Sequence, residues 1–139
     1  ALLVRELARA TGHATAAKSL PRRSPPLPEP AVANELRQVL RYVDDQLHAI
    51  AGVDDLVEFS GRSRSTLERL FKRHMVCTPL EHLAAVRMRR AKQMLASTRL
   101  SVADIGRAVG IDDASYFSKS FRAHVGTPPL KYRQTSTSL

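Results

Sequence analysis

Within residues 62–72 the chain places Arg62, Arg64, Arg69 and Lys72 around Ser65 and Glu68. Guanidinium and ammonium groups at helical spacing donate charge-assisted hydrogen bonds, and a guanidinium fork matches paired acceptor atoms such as those of a phosphate. A second stretch, with Ala114, Ser115, Ser118, Lys119 and Arg122, repeats the layout with shorter donors. The plainer reading of each stretch is a solvated helix face, with an i, i+4 pair between Glu68 and Lys72 in the first. Other chemistry finds no support. His13, His48, His74, His82 and His124 lack metal-ligand spacing, no Ser/His/Asp set or phosphate loop is apparent, and Cys77 is the lone thiol. No catalytic residue, cofactor or metal is therefore expected.

The two stretches belong to copies of one unit. Val53-Asp54-Asp55-Leu56 returns as Val102-Ala103-Asp104-Ile105, Leu67-Glu68-Arg69-Leu70-Phe71 returns as Phe117-Ser118-Lys119-Ser120-Phe121, and each copy runs into a Thr-Pro pair. Each spells a short helix, a glycine-containing turn and a second helix. Before the first copy, Leu36, Val39, Leu40, Val43 and Leu47 form one buried stripe and predict a helix from about Asn34 to His48. Val53 to Ser60 follows, with Asp54 and Asp55 in its first turn where the helix dipole favours acids, and Gly61 ends it. Ser63 caps a third helix through about His74, whose inner face is Leu67, Leu70 and Phe71.

Thr78-Pro79-Leu80-Glu81 is a capping box with proline at the first helical position. It opens a helix to Ser97, about 28 Å long at 1.5 Å per residue. The expected stripe is Leu80, Leu83, Ala84, the Arg87 stem, Met88, Ala91, Met94 and Leu95, with Arg87 paired to an acid at the buried edge. Ser101 to Asp104 is a second capping box and opens a fifth helix to Val109. Gly110 turns, a sixth runs from about Asp113 to His124 with Phe117 and Phe121 inward, and a short last one spans Pro128 to about Arg133. Tyr116 is read as structural. No stretch alternates strictly, so no strand is predicted.

The expected fold is all-α: two helix-turn-helix subdomains joined by a long linker helix, about seven helices in all. The units are residues 34–78, 79–97 and 98–133, with 134–139 as a tail. Residues 1–20 are expected to be weakly ordered, with at most an amphipathic helix around Leu3 and Leu7. Residues 21–33 read as a Pro-rich linker, extended through Pro30.

Composition agrees with a binding module. At 139 residues and 43% hydrophobic content the chain can build one modest domain, or two small subdomains sharing a helix. Twenty-two Lys and Arg against thirteen Asp and Glu give +9, which suits a polyanion. The charge is also sorted. Residues 34–61 hold two basic and six acidic side chains (net −4), whereas 62–99 hold ten basic and two acidic (net +8). Arg5, Glu6 and Arg9 break the apolar opening, so neither a signal peptide nor a membrane span is expected. A single cysteine fits a reducing cytoplasm, and the start at Ala1 reads as a fragment of a longer chain.

Residues 34–133 resemble the DNA-binding domain of the AraC/XylS family of bacterial transcription regulators. The resemblance is carried by Leu67-x3-Phe71-Lys72, by Arg87-Met88-x2-Ala91-x2-Met94-Leu95, and by Ser101-Val102-Ala103-Asp104-Ile105-Gly106-x2-Val109-Gly110-Ile111-Asp112. It continues through Ser115-Tyr116-Phe117-Ser118-Lys119-x-Phe121 and Gly126-Thr127-Pro128-x3-Tyr132-Arg133. The family usually has a small residue where Val57 and Gly106 stand, glycine at Val76 and an aromatic at Ile111. The resemblance implies two recognition helices in successive major grooves of promoter DNA. Ser65, Glu68 and Arg69 would meet bases, with Arg64 and Lys72 nearer phosphates and Arg62 in the rest of the basic DNA-facing set. In the second unit Ser118 and Lys119 suit base or phosphate, Ala114 offers a methyl contact, and Ser115 and Arg122 complete the face. Glu68 can accept from cytosine N4, orient Arg69 or pair with Lys72.

The implied protein is a sequence-specific transcription regulator that recruits or blocks RNA polymerase, with any small-molecule effector acting through a missing N-terminal domain. Three alternatives differ in what they require. A DNA-repair protein carrying the same module needs acceptor and zinc-binding cysteines beyond Cys77. A nonspecific nucleic-acid-binding protein needs the charge but no repeated turns. A surface for acidic proteins or membranes needs a strongly apolar exposed helix face.

Overall fold

The computed structural model describes residues 29–137, with side chains from Ala33 to Ser136. The expectations for residues 1–28 lie outside the described residues. Among those described there are seven α-helices and no strand. In chain order they are α1 (Glu29–Asp45), α2 (Val53–Ser60), α3 (Arg64–Met75), α4 (Pro79–Ser97), α5 (Val102–Ala108), α6 (Ala114–Val125) and α7 (Pro129–Thr137). A 3-10 turn at Leu47–Ala49 joins α1 to α2.

α1 begins at Glu29 rather than Asn34, which corrects the linker boundary and the extended reading of Glu29 and Pro30. Proline is compatible with a first helical turn, because the N–H it lacks has no intrahelical acceptor there. The same helix ends at Asp45, short of His48, and the 3-10 turn tightens its exit. α7 continues past Arg133 to Thr137.

The helix starts follow from local chemistry. The Ser63 hydroxyl accepts from Thr66 N at 3.2 Å, and the Asp113 carboxylate accepts from Tyr116 N at 3.0 Å. At α4 both arms of the capping box form: Thr78 Oγ1 accepts from Glu81 N at 3.0 Å and Glu81 Oε1 accepts from Thr78 N at 2.9 Å. Only one arm forms at α5. Ser101 Oγ accepts from Asp104 N, while the Asp104 carboxylate pairs with Arg107.

Burial joins both units into one core. Leu36, Val39, Val43, Leu47, Ile50, Leu56, Leu67 and Phe71 meet Leu83, Val86, Met88, Ala91 and Leu95 of α4, and beyond them Ile105, Val109, Ile111, Phe117 and Phe121. Each fully buried aliphatic or aromatic side chain contributes about 1.5–3 kcal/mol. The stripe on α4 differs from expectation at two positions: Leu80 is 63% exposed and Val86 is buried. Pro79 is the buried residue of the first turn, and its neighbour is swung about 100° away. Leu70 is only half-buried.

The units also end their second helices differently. Gly126 terminates α6 at φ 96°, while the matching residue after α3, Val76, adopts the left-handed conformation at φ 58°. A β-branched residue there costs about 1–2 kcal/mol, partly offset in comparison with glycine by the lower entropy of its unfolded chain. Val76 is 74% exposed, so it has little packing to lose. Val76→Gly should therefore stabilise the domain by about 0.5–1 kcal/mol and raise its melting temperature by a few degrees. A lower melting temperature would contradict this account of the turn.

Candidate nucleic-acid interface

α3 and α6 are built alike. Leu67 and Phe71 of α3 are wholly buried, as are Phe117 and Phe121 of α6, so each helix turns its opposite face outward. On α3 that face exposes Arg64, Ser65, Glu68, Arg69 and Lys72. On α6 it exposes Ala114, Ser115, Tyr116, Lys119 and Arg122, with Ser118 half-buried. Tyr116, read as structural, is 61% exposed on the first turn of α6. Its position should have shown this: Phe117 points inward, and the residue before it is rotated by about 100°.

The cations divide by what they already touch. Arg62 Nε lies 2.7 Å from Glu35 of α1 at a half-buried site, and Arg64 pairs with Asp54 of α2 in the open. Arg90 donates to the Asp44 carbonyl at 3.1 Å. Arg69 reaches only Thr66 Oγ1 at 3.5 Å, beyond a good hydrogen bond. Among the described residues Glu68, Lys72, Lys119 and Arg122 make no internal ion pair. The expected Glu68–Lys72 pair is thus not formed, and these groups remain available for a partner. A shallow groove lined by Val53, Arg64, Glu68, Thr78, Pro79 and Leu80 opens beside α3.

Arg87 departs most from expectation. Among the described residues it pairs with no acid. Its Nε donates to the Val109 carbonyl at 2.9 Å and its Nη2 to the Ile50 carbonyl, so it joins the second unit to the first. Burial pushes its guanidinium pKa down and Tyr116 pushes it partly back up, yet a guanidinium stays charged throughout the physiological range. Sequence reasoning also missed Arg133, which donates to the carbonyls of Leu95 (3.0 Å), Thr98 (3.2 Å) and Leu100 (2.7 Å) and so completes the C-terminal end of α4.

Gly110 and Gly106 are required by close approach. A Cβ on Gly110, whose φ is +95°, would stand 2.6 Å from the Leu47 carbonyl oxygen. One on Gly106 would stand 3.0 Å from the Ile111 carbonyl oxygen and 3.1 Å from the Phe117 ring. Val57, at the matching position of the first unit, is accommodated half-buried against the core.

Two capped helices, each presenting polar and basic groups from its first turns and held on one rod, define a double helix-turn-helix DNA-binding domain. The family described as a helix-turn-helix domain matches residues 56–135, and the chain belongs to the AraC/XylS-type members of that family. Over 100 residues it is 30% identical to the HTH-type transcriptional regulator GbdR of Pseudomonas aeruginosa, covering 72% of this chain and 27% of that protein. It is 30% identical over 105 residues to the arabinose operon regulatory protein of Escherichia coli, covering 75% and 36%. The chain thus spans about a third of the length of these relatives. Among solved structures, the DNA-binding domain of AdpA in complex with a target DNA superposes with a TM-score of 0.71 at 25% identity, covering 75% of this chain and 94% of that one. An AraC-type regulator from Chromobacterium violaceum gives 0.67 at 28% identity, covering 77% and 96%.

The packing that holds α3 on α4 carries a pH dependence. His82 of α4 packs tilted against Phe71, with 5.6 Å between ring centroids and 52° between the planes. Burial lowers its pKa from 6.5, with Asp44 opposing and Arg89 reinforcing. The unfolded chain therefore takes up this proton at a higher pH than the folded one. Stability from a neutral His82 is whole above 6.5 and is lost as pH falls below that value toward the lowered folded pKa. Denaturation measured between pH 7.5 and about 5 should show stability falling with pH, and His82→Gln should flatten that slope. An unchanged slope in the variant would assign the dependence to other groups.

Proposed function

We propose that this domain binds duplex promoter DNA sequence-specifically, laying α3 and α6 into successive major grooves on one face. The observation that carries the reading is the paired exposed face: Arg69, Lys72 and Glu68 on α3, and Lys119 and Arg122 on α6, all without ion pairs among the described residues. Successive grooves lie about 34–36 Å apart, and α4, with 19 residues, is a rod of about 28 Å to which its two connecting turns add reach. The AdpA complex supports the reading, since that similar domain was solved on its target DNA.

Roles follow from position. Arg69 reads a base, with Glu68 and Ser65 beside it. Lys72, Lys119 and Arg122 contact phosphates, and α6, poor in long donors, positions more than it selects. Tyr116 joins this face as a contact to sugar or base, while Arg62 and Arg64 orient the first unit through Glu35 and Asp54. In this reading the whole protein is a cytoplasmic transcription regulator that acts on RNA polymerase. Its relatives are about three times as long as the matched region, which leaves room for a separate domain that senses a small molecule. No described helix is long and apolar enough to cross a membrane.

The discriminating experiment compares Arg69→Ala with Lys72→Ala on a duplex selected from random sequence. Loss of a bidentate arginine contact to guanine should cost about 1–3 kcal/mol and flatten preference at one base position. Loss of Lys72 should weaken all duplexes alike and reduce the salt slope by about one unit. If selection enriched no sequence at all, the nonspecific alternative would stand instead.

A further inference from the structure

We infer that Arg87 is a positioning residue that fixes the spacing between the two recognition helices, and hence the half-site spacing the domain accepts. The inference rests on the reading under Proposed function and deepens it.

Arg87 lies in the body of α4, and its side chain leaves the rod between the two units. One planar group bonds two separate backbones: Nε to the Val109 carbonyl and Nη2 to the Ile50 carbonyl. Both acceptors stand at points that direct a helix-turn-helix. Ile50 closes the 3-10 turn ahead of α2, and Val109 closes α5 ahead of the turn into α6. The units also touch backbone to backbone there, since a Cβ on Gly110 would meet both the Leu47 carbonyl oxygen at 2.6 Å and Arg87 Nη2 at 2.9 Å. A guanidinium holds its donors in one rigid plane, so two bonds in fixed directions set an angle as well as a distance. The lysine ammonium is a point charge on a flexible stem and holds no such plane. With its guanidinium engaged by carbonyls, Arg87 is not available to phosphate, so its effect on DNA runs through geometry.

A rigid joint makes the two reading events one. Its signature is sensitivity to spacing, because binding at the second site gains from the first only where the linkage matches the span. One added base pair turns the second half-site by about 34° around the helix axis, at 10–10.5 base pairs per turn.

The test uses the intact chain with Arg87→Lys, Arg87→Met and Gly110→Ala. The duplexes are the selected one, the same duplex with one base pair inserted between half-sites, and each half-site alone. Wild type should lose about tenfold or more in affinity on the insertion, within the usual range of coupling between sites. The variants should bind the selected duplex about tenfold more weakly, bind half-sites like wild type, and lose less than about threefold on the insertion. Residual dipolar couplings of the free protein give a readout independent of DNA: the two units should share one alignment tensor in wild type and two in Arg87→Lys. If Arg87→Met fails to fold, Arg87→Lys, which keeps the charge and the stem, carries the comparison.

Parallel loss on full and half-sites, an unchanged insertion penalty, or one shared tensor in Arg87→Lys would each overturn the positioning role. A wild-type protein that prefers no duplex would instead overturn the functional reading, and the couplings would still decide whether Arg87 makes the joint.

Discussion

The contact between the Arg87 guanidinium and the carbonyls of Ile50 and Val109 is the constraint on which the arrangement of this domain depends. Each unit taken alone is small, and each exposes carbonyls at its turns that need partners once water is excluded. One side chain from the shared rod supplies both. The buried cluster then runs without interruption from Leu36 through Ala91 to Phe121, so hydrophobic burial and a directed polar contact act across the same junction. Arg133 performs the related task at the far end of α4, where it donates to the carbonyls of Leu95, Thr98 and Leu100. Two arginines thus serve the frame and leave the DNA face to others.

Net charge is accordingly a poor guide to the binding surface. Of the formal +9, several cations are engaged inside the fold: Arg62 by Glu35, Arg64 by Asp54, Arg107 by Asp104, and Arg87, Arg90 and Arg133 by carbonyls. An exposed pair such as Arg64–Asp54 contributes at most about 1 kcal/mol and can open when a phosphate competes. The half-buried Arg62–Glu35 pair is held more firmly and ties the start of α3 to α1. What remains for a polyanion is the smaller set on the outward faces of α3 and α6. Cys77 plays no part in that chemistry: burial and Glu81 raise its pKa, which keeps it a protonated thiol.

Much of this was legible in the chain, because the signals were local. Ser63, Thr78, Ser101 and Asp113 each announce a helix start through a bond spanning three residues, and Gly61, Gly110 and Gly126 adopt the positive φ their turns demand. The repeat itself foretold two similar units. Long-range geometry was not legible. An arginine in an apolar stripe suggests an acidic partner, and nothing in spacing reveals that two carbonyls, 37 and 22 residues away, converge on it instead. Leu80 was misplaced for a related reason: its face depends on where α4 sits against its neighbours. The proline run hid the start of α1, since composition alone does not distinguish a linker from a helical first turn. How far the outward residues of α3 and α6 divide between bases and phosphates depends on the duplex, which lies outside what one chain encodes.

Methylation interference at guanine N7 on the selected duplex tests the central claim most directly, because N7 faces the major groove and the method reports each groove separately. Two reading helices on one rigid rod predict two clusters of interference on the same face of the duplex, centred about 10–10.5 base pairs apart. A single cluster, or two clusters on opposite faces, would contradict the account.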